Sequence, residues 1–382
     1  MNNIIDYVKS EMRTFKEWPF HAVDSLVLSQ LAYLSFRDLV PGPYDDEPSV
    51  PIRDLYRAEC FERLSGKTFN PDINIALLTA IAASPRFREI SLNYYTNEID
   101  TELQMQFSAI TFFPDDDLVY IAYRGTDGTL IGWKEDFNMA FTYPLPAQEA
   151  GLLYMNTVSG FVPKSANILT GGHSKGGNIA VYAAMKCHSS FRKRITEIYN
   201  HDGPGFLQEV LDSDEFRAIG DRVRKTLPQS SVFGMLLHQQ ECYSVIESNG
   251  FSGFVQHIPF NWVVENADFR YLEKLKSGSL HTQDTINDWL LKLTPEERKN
   301  FIDTLFQLVE ATEAHKLTDL TADWPKAVLK FLSAAKELDP EAKKFVQKAI
   351  SDFFKTSIKG LAPRPLKAVP ALPSGDSEIA SE

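Results

Sequence analysis

The pattern of apolar and polar residues changes along the chain, and it divides the sequence into regions. Between about residues 88 and 260, short continuous apolar runs alternate with segments of helical periodicity. Apolar runs of this length predict strands that are buried on both faces. The runs that we predict as strands are 90–95, 106–113, 118–123, 166–172, 195–200 and 242–247.

The predicted strands are separated by helices, the clearest of which covers 177–187. Because parallel strands need crossover connections that cover the sheet, this order predicts an α/β fold with a mostly parallel central sheet and helices on both faces. An earlier segment, 23–37, predicts a helix that begins at Asp24 or Ser25. The proline-rich stretch 41–70 predicts a loop followed by helical turns.

The pattern becomes helical again after about residue 265. Two long amphipathic runs begin at Thr294 and Asp339, each with a proline and a glutamate directly after the capping residue. Residues 361–382 are rich in proline, alanine and serine and predict a disordered tail. We therefore predict one domain over 1–265, a helical extension over 266–360 that packs on it, and a tail over 361–382.

Composition and charge exclude several classes of protein. The net charge is −12 and basic residues are not clustered, which argues against a nucleic-acid partner. The chain has no run of 18 apolar residues, and its first 20 residues lack the apolar core of a secretory signal. Its three cysteines are far apart, as in proteins of a reducing compartment. We expect a cytoplasmic protein without a metal or organic cofactor, and without stable membrane association. The oligomeric state is not predicted.

The strongest chemical signal is Gly172-His173-Ser174-Lys175-Gly176, between a predicted strand and a predicted helix. It matches the G-x-S-x-G nucleophile elbow, in which serine occupies a sharp strand-to-helix turn. Small residues must flank the serine, because larger side chains would collide with the strand and the helix. A glycine-rich turn that only joins two elements is the alternative. The agreement of motif and context favours a nucleophilic Ser174 and an α/β-hydrolase fold.

A second motif, Arg124-Gly125-Thr126, ends the predicted strand 118–123, and Trp133 and Asp136 follow shortly after. Together with the histidine before Ser174, this motif resembles that of the class 3 lipases. The resemblance also includes Leu31-Ala32-Tyr33-Leu34.

The resemblance covers about residues 23–262 and is closest to a little-characterised bacterial branch of the class 3 lipases. It implies that Thr126 supplies one oxyanion donor and that the backbone N–H of Lys175 supplies the other. Elbow geometry independently places a donor on the residue after the nucleophile. For Arg124 and Asp136, a structural ion pair that fixes the loop is favoured over direct catalysis.

The general base must follow Ser174 in the chain order of this fold. His257 lies about ten residues after the predicted strand 242–247, on the loop where the resemblance also places the histidine. This position favours His257, because the base must be able to reach the serine hydroxyl. The other candidates are His188, His201, His238, His281 and His315.

The triad acid departs from the family pattern. In the class 3 lipases it lies in a stretch that corresponds here to 227–232, and that stretch contains no carboxylate. We predict Asp202 instead, because the acid needs only to orient the imidazole and stabilise its charged form. Alternatively, Asp202 caps the turn at Gly203-Pro204. The remaining candidate acids are Asp221, Glu241 and Glu247.

Apolar residues flank the predicted histidine loop, and they either contact an acyl group or pack the sheet. They are residues 232–237, Phe251, Phe254, Phe260 and Trp262. The segment 128–160 is rich in apolar residues and predicts either a lid over Ser174 or part of the core.

These features predict acyl transfer from an ester to water through an acyl-enzyme on Ser174. The expected substrate is a small-molecule or lipid ester. Two alternatives remain: a thioesterase or peptidase of the same fold, and a catalytically weak or inactive scaffold whose helical carboxyl-terminal region binds a partner.

Overall fold

The computed structural model describes residues 2–276, except 66–67, 69, 128–131, 133, 136–137, 140–141 and 239–241, together with 294 and 296. The described helices are α1 (Ile4–Ser10), α2 (Ala22–Leu31), α3 (Ile52–Leu55), α4 (Ala58–Ser65), α5 (Pro71–Ala83), α6 (Pro146–Val158), α7 (Lys175–Lys186), α8 (Ser189–Arg192), α9 (Gln208–Leu211), α10 (Asp214–Arg217) and α11 (Gly253–Gln256). The strands are β1 (Val50–Pro51), β2 (Ser91–Asp100), β3 (Met105–Asp115), β4 (Leu118–Tyr123), β5 (Asn167–His173), β6 (Ile195–His201), β7 (Val223–Pro228), β8 (Ser244–Ile246), β9 (Val264–Glu265), β10 (Asp268–Phe269) and β11 (Tyr271–Leu272).

Within the described residues, nine strands form one sheet in the order β1-β2-β3-β4-β5-β6-β7-β8-β11. The central strands β4 to β8 are parallel. Antiparallel strands extend the sheet on both sides. Because parallel strands end at the same edge, loops that follow β4 to β8 meet there.

Side chains of β4 alternate between two hydrophobic cores, as expected of a strand covered on both faces. Tyr120 and Ala122 pack with helices α1, α2 and α5. Val119, Ile121 and Tyr123 pack with α6 and α7 on the opposite face. The architecture is that of the α/β-hydrolase fold. Among the described residues, no helix combines the length and apolarity needed to cross a membrane.

Several predicted elements differ in their bounds. Helix α2 is capped by His21 and not by Asp24 or Ser25, because Asp24 is its third residue and completes a capping box. The helix ends at Leu31 rather than at 37. Strand β7 was not predicted, since Arg224 and Lys225 interrupt its apolar pattern.

Part of the predicted lid segment belongs to the core. Residues 146–158 form α6, which packs on α7 and β3 and buries Tyr154, Met155 and Val158. Leu130, Ile131, Trp133, Phe137 and Phe141 lie outside the described residues.

The sheet continues past the predicted domain boundary at residue 265. Tyr271–Leu272 form β11 of the central sheet, and Asp268–Phe269 form β10 of a separate two-stranded sheet, where the start of the helical extension was expected. The rest of the predicted extension, apart from 273–276, 294 and 296, and the whole predicted tail lie outside the described residues.

A buried polar group ties α2 to the sheet next to the site. His201, at the end of β6, pairs through Nδ1 with Thr226 Oγ1 at 2.7 Å and through Nε2 with Ser25 Oγ at 2.9 Å. Burial lowers the pKa of His201 to about 3, so this imidazole is neutral near pH 7. His201 is thus a structural residue that anchors the end of β6.

A buried ion pair holds the amino-terminal helices together. The side chains of Asp24 and Arg86 are both 0% exposed, and their closest atoms, Oδ2 and Nη2, are 2.6 Å apart. Tyr7 donates a further hydrogen bond to Asp24, and Arg86 donates to the carbonyl of Trp18. Such a pair is stable only while both charges remain.

Replacing Asp24 with asparagine should therefore lower the free energy of unfolding by about 3 kcal/mol, because Arg86 would stay buried without its counter-ion. Urea unfolding monitored by circular dichroism measures this change. Glu89→Gln is the control, since the exposed pair between Glu89 and Arg53 should contribute less than about 1 kcal/mol. Equal losses in the two variants would contradict the prediction.

Candidate active site

Ser174 joins β5 to α7 in a strained backbone conformation. Its φ is 59° and its ψ is −134°, a region that residues with a Cβ rarely adopt. The turn is possible because its glycines let the strand and helix approach closely. A Cβ at Gly172 would overlap the backbone of Gly176, and a Cβ at Gly176 would overlap the carbonyl of Tyr123.

Hydrogen bonds on both sides of Ser174 hold the turn in place. Its N–H donates to the carbonyl of His201 at 2.9 Å, and its own carbonyl accepts from the N–H of Gly177 at 2.9 Å. Ser174 is 9% exposed, at the edge of the sheet where the parallel strands end. The sequence motif and the elbow conformation therefore coincide at this residue.

The structure brings His257 and Asp202 together. His257 Nδ1 lies 2.6 Å from Asp202 Oδ2, and Asp202 is fully buried. A carboxylate only accepts hydrogen bonds, so Nδ1 carries the proton and Nε2 of the neutral ring has a free lone pair. This is the tautomer that a general base requires.

The second carboxylate oxygen of Asp202 is also held. Oδ1 accepts hydrogen bonds from the Ser231 hydroxyl at 2.5 Å and from the Gly234 N–H at 3.2 Å. Ser231 lies in the stretch 227–232, which corresponds to the position of the acid in the class 3 lipases. The alternative that Asp202 caps the Gly203 turn is wrong, because Asn200 Oδ1 accepts from the Gly203 N–H instead.

The other candidate acids are not placed beside His257. Asp221 has a side chain that is 84% exposed. Glu247 pairs with Arg270 at 3.0 Å. Glu241 lies outside the described residues.

The other candidate bases have other environments. Both ring nitrogens of His201 are hydrogen-bonded, one to the Thr226 hydroxyl and one to the Ser25 hydroxyl. His238 exchanges backbone hydrogen bonds with Phe206, and His188 is exposed before α8. His281 and His315 lie outside the described residues.

His173 connects the elbow to the loop that carries His257. Its Nε2 lies 2.8 Å from the carbonyl of His257, and the two ring centroids are 4.4 Å apart. A carbonyl only accepts, so Nε2–H donates, and Nδ1 accepts from the Tyr33 hydroxyl at 3.2 Å. Burial, followed by the charge of His257, lowers the pKa of His173 well below its usual range and keeps the ring neutral.

No hydrogen bond within the described residues joins the Ser174 hydroxyl to His257. His257 meets the elbow through the ring of His173, the residue directly before Ser174. Catalytic hydrogen bonds are commonly long before substrate binds and shorten in the substrate complex.

The loop after β4 passes directly over Ser174. A Cβ at Gly125 would overlap the Tyr33 hydroxyl and would lie 3.1 Å from Ser174 Cβ. Only glycine permits this approach, which brings the next residue, Thr126, to the elbow. On the other side, Lys175 is the first residue of α7, so its N–H has no acceptor within the helix and lies at the positive end of the helix dipole.

Two described groups hold the side chain of Arg124. Its guanidinium donates to Asn97 Oδ1 at 3.0 Å and pairs with Asp127 at 3.5 Å. The predicted partner Asp136 lies outside the described residues, as does Trp133.

A buried carboxylate in this part of the chain is Glu135, whose Oε2 lies 2.6 Å from Lys175 Nζ. Nothing in the sequence pattern indicated this pair, because a lysine in a glycine-rich turn is typical of a solvated position.

An aromatic ring packs against His257. The Phe233 ring lies with its centroid 4.4 Å from that of His257. Phe251 is 70% exposed on the loop before α11. Phe260 and Trp262 are instead buried in the core under the sheet, so their role is packing.

A family model described as Mbeg1-like matches residues 81–307, which is more than half of the chain. The chain belongs to the Mbeg1-like family. No curated protein matches its sequence.

Comparison of this Mbeg1-like chain with solved structures finds two lipases. A fungal lipase–inhibitor complex, whose structure was used as a model for interfacial activation, is 13% identical; the match covers 53% of this chain and 83% of that one, with a TM-score of 0.34. The M37 lipase is 14% identical, with coverages of 55% and 68% and a TM-score of 0.33.

The strained elbow of the Mbeg1-like chain leads to a stability prediction. Glycine adopts positive φ freely, whereas alanine keeps the Cβ that causes the strain. Ser174→Gly should therefore be more stable than Ser174→Ala by about 1 kcal/mol. Urea unfolding of the two variants side by side measures the difference. If Ser174→Ala is equally or more stable, the turn is not strained in the folded protein.

Proposed function

We propose that this Mbeg1-like chain is a serine hydrolase that cleaves carboxylic esters through an acyl-enzyme. One observation carries the proposal: Ser174 occupies a strained strand-to-helix turn, and an imidazole whose Nδ1 is bound by a buried carboxylate lies on the loop that contacts this turn. The folded chain keeps this arrangement although its elements come from three separate loops. Strain of this kind is stored at functional sites.

In the first half of the reaction, His257 Nε2 accepts the proton of the Ser174 hydroxyl. The Ser174 oxygen attacks the ester carbonyl carbon and forms a tetrahedral intermediate. Asp202 stabilises the imidazolium through the 2.6 Å hydrogen bond to Nδ1. Collapse of the intermediate transfers the proton from His257 to the leaving alcohol and leaves the acyl group on Ser174.

The negative oxygen of the intermediate needs donors that are already in place. The Lys175 N–H at the start of α7 is one, and Thr126, on the loop that crosses the elbow, is the other. In the second half, water loses a proton to His257 and attacks the acyl-enzyme. The carboxylic acid is released and Ser174 regains its proton.

The proposed substrate is an ester with an apolar, lipid-like acyl group. The Phe233 ring against His257 and the exposed ring of Phe251 support it, because aromatic groups next to a catalytic loop favour apolar ligands. We also propose kinship with the class 3 lipases, on the Arg124-Gly125-Thr126 motif and the elbow. Placement in a bacterial branch of that group stays a prediction.

A cytoplasmic location is proposed as well. Cys60 and Cys187 are free thiols that are buried in the core. Unpaired cysteines are typical of a reducing compartment.

A fluorophosphonate probe tests the proposed nucleophile. The wild-type protein should be labelled and Ser174→Ala should not, because the probe reacts with an activated serine. Ser189→Ala, at an exposed serine at the start of α8, is the control and should be labelled like the wild type. Intact mass spectrometry measures the adduct.

Absence of labelling in the folded wild type would overturn the proposal in favour of a non-catalytic scaffold. Labelled protein is then assayed with p-nitrophenyl esters, acyl-CoA and peptides. Fastest turnover of acyl-CoA or of peptides would overturn the ester assignment within the same fold.

The hydrogen bond from Ser231 to Asp202 predicts a second effect. Ser231→Ala removes a donor to the carboxylate, and a hydrogen bond to a charged group contributes about 1.5–3 kcal/mol. We expect kcat for a p-nitrophenyl ester to fall roughly 10-fold or more. Ser230→Ala is the matched control, since the neighbouring hydroxyl makes no bond to Asp202, and it should change kcat less than about 2-fold. Equal kcat values in the two variants would show that Ser231 does not position the acid.

A further inference from the structure

Two opposite charges are completely buried beside the proposed nucleophile. Lys175 is 1% exposed and Glu135 is 0% exposed, with Nζ and Oε2 2.6 Å apart. Burying a lysine and a glutamate is unfavourable, and a well-packed apolar pair of similar volume would often stabilise the fold as much. Stability alone therefore does not explain the pair.

Every partner of this ion pair belongs to an element that borders the site. Lys175 Nζ also donates to the carbonyl of Gln106 in β3 at 3.0 Å. Glu135 Oε2 accepts from the Gln106 N–H at 3.1 Å, and Oε1 accepts from the N–H of Ala147 in α6 at 3.0 Å. The pair thus joins the elbow to β3 and to the start of α6.

The ion pair is connected to the elements that carry both proposed oxyanion donors. Lys175 carries one donor on its own backbone. The other, on Thr126, follows Arg124, whose N–H donates at 2.9 Å to the carbonyl of Ser108, two residues beyond Gln106 on β3. Glu135 follows Thr126 by nine residues in the chain, and its carboxylate contacts both Lys175 and β3.

Oxyanion donors act only when they are held in position before charge develops. We infer that Lys175 and Glu135 are positioning residues, and that their ion pair sets the Lys175 N–H and the Thr126 segment at the spacing that a tetrahedral oxyanion requires. This inference rests on the proposed serine hydrolase function. The side chains themselves do not touch the substrate.

The test is Glu135→Gln, which keeps the shape of the side chain and removes its charge. We expect kcat for a p-nitrophenyl ester to fall roughly 10- to 100-fold while KM changes less than about 3-fold, as for loss of transition-state stabilisation. Affinity for a trifluoromethyl ketone, which forms a tetrahedral oxyanion on serine, should fall by the same factor as kcat. A role in folding alone would not produce this parallel loss.

Asp24→Asn is the matched control. The Asp24–Arg86 pair is equally buried and has the same 2.6 Å separation, but the hydrogen bonds of Asp24 go to Tyr7, His21 and Arg86 within the amino-terminal region. This variant should lose stability but, when assayed well below its melting temperature, keep kcat within about 3-fold of the wild type.

A double variant, Lys175→Met with Glu135→Leu, keeps the inference testable if Glu135→Gln folds poorly. Removing both charges should restore the melting temperature toward that of the wild type. We expect kcat and trifluoromethyl ketone affinity to stay low. If kcat and ketone affinity recovered together with stability, the pair would be only structural and the inference would be overturned.

The remaining outcomes are also decisive. Wild-type kcat and ketone affinity in folded Glu135→Gln would overturn the positioning role while leaving the hydrolase intact. An equal loss of kcat in Asp24→Asn would overturn it too, because general destabilisation would then explain the effect. Failure of the folded wild type itself to react with a fluorophosphonate would overturn the hydrolase proposal and this inference with it.

Discussion

The site depends on the backbone conformation of Ser174. A positive φ at a residue with a Cβ is unfavourable by itself, and it persists only where the surroundings determine it completely. Here the surroundings are the close approach of β5 to α7, made possible by Gly172 and Gly176, and the hydrogen bond from the Ser174 N–H to β6. The fold therefore fixes the direction of the Cα–Cβ bond of Ser174.

The groups around this turn form two hydrogen-bonded systems, one joined to the residue before Ser174 and one to the residue after it. On one side, His173 links Tyr33 to the His257 loop, and Asp202 holds the His257 ring. On the other, Lys175 and Glu135 connect the elbow to β3 and α6. In the proposed mechanism the first system would transfer the proton, and the second would position the donors that stabilise the negative charge. Acyl transfer by a serine requires both.

Local patterns predicted the elements that carry the nucleophile, because an apolar strand followed by a glycine-rich turn reflects short-range constraints. Strand β4 matches its predicted bounds, and the elbow lies between β5 and α7 as expected. Strand β7 was missed, since the buried Lys225 looks like a surface residue; burial lowers the pKa of this lysine to about 7 against the opposing charge of Asp202. The Glu135 partnership depends on contacts between distant segments, which periodicity does not report.

In the proposed mechanism, Ser174 attacks a carbonyl whose oxygen is held by the Lys175 N–H and by Thr126. A crystal structure of the phosphonate adduct would test this arrangement, because the phosphonyl oxygen occupies the position of the oxyanion. We expect a covalent bond from phosphorus to Ser174 Oγ, with the phosphonyl oxygen about 2.7–3.1 Å from both donors. An adduct on another residue, or a phosphonyl oxygen that points away from Lys175 and Thr126, would contradict it.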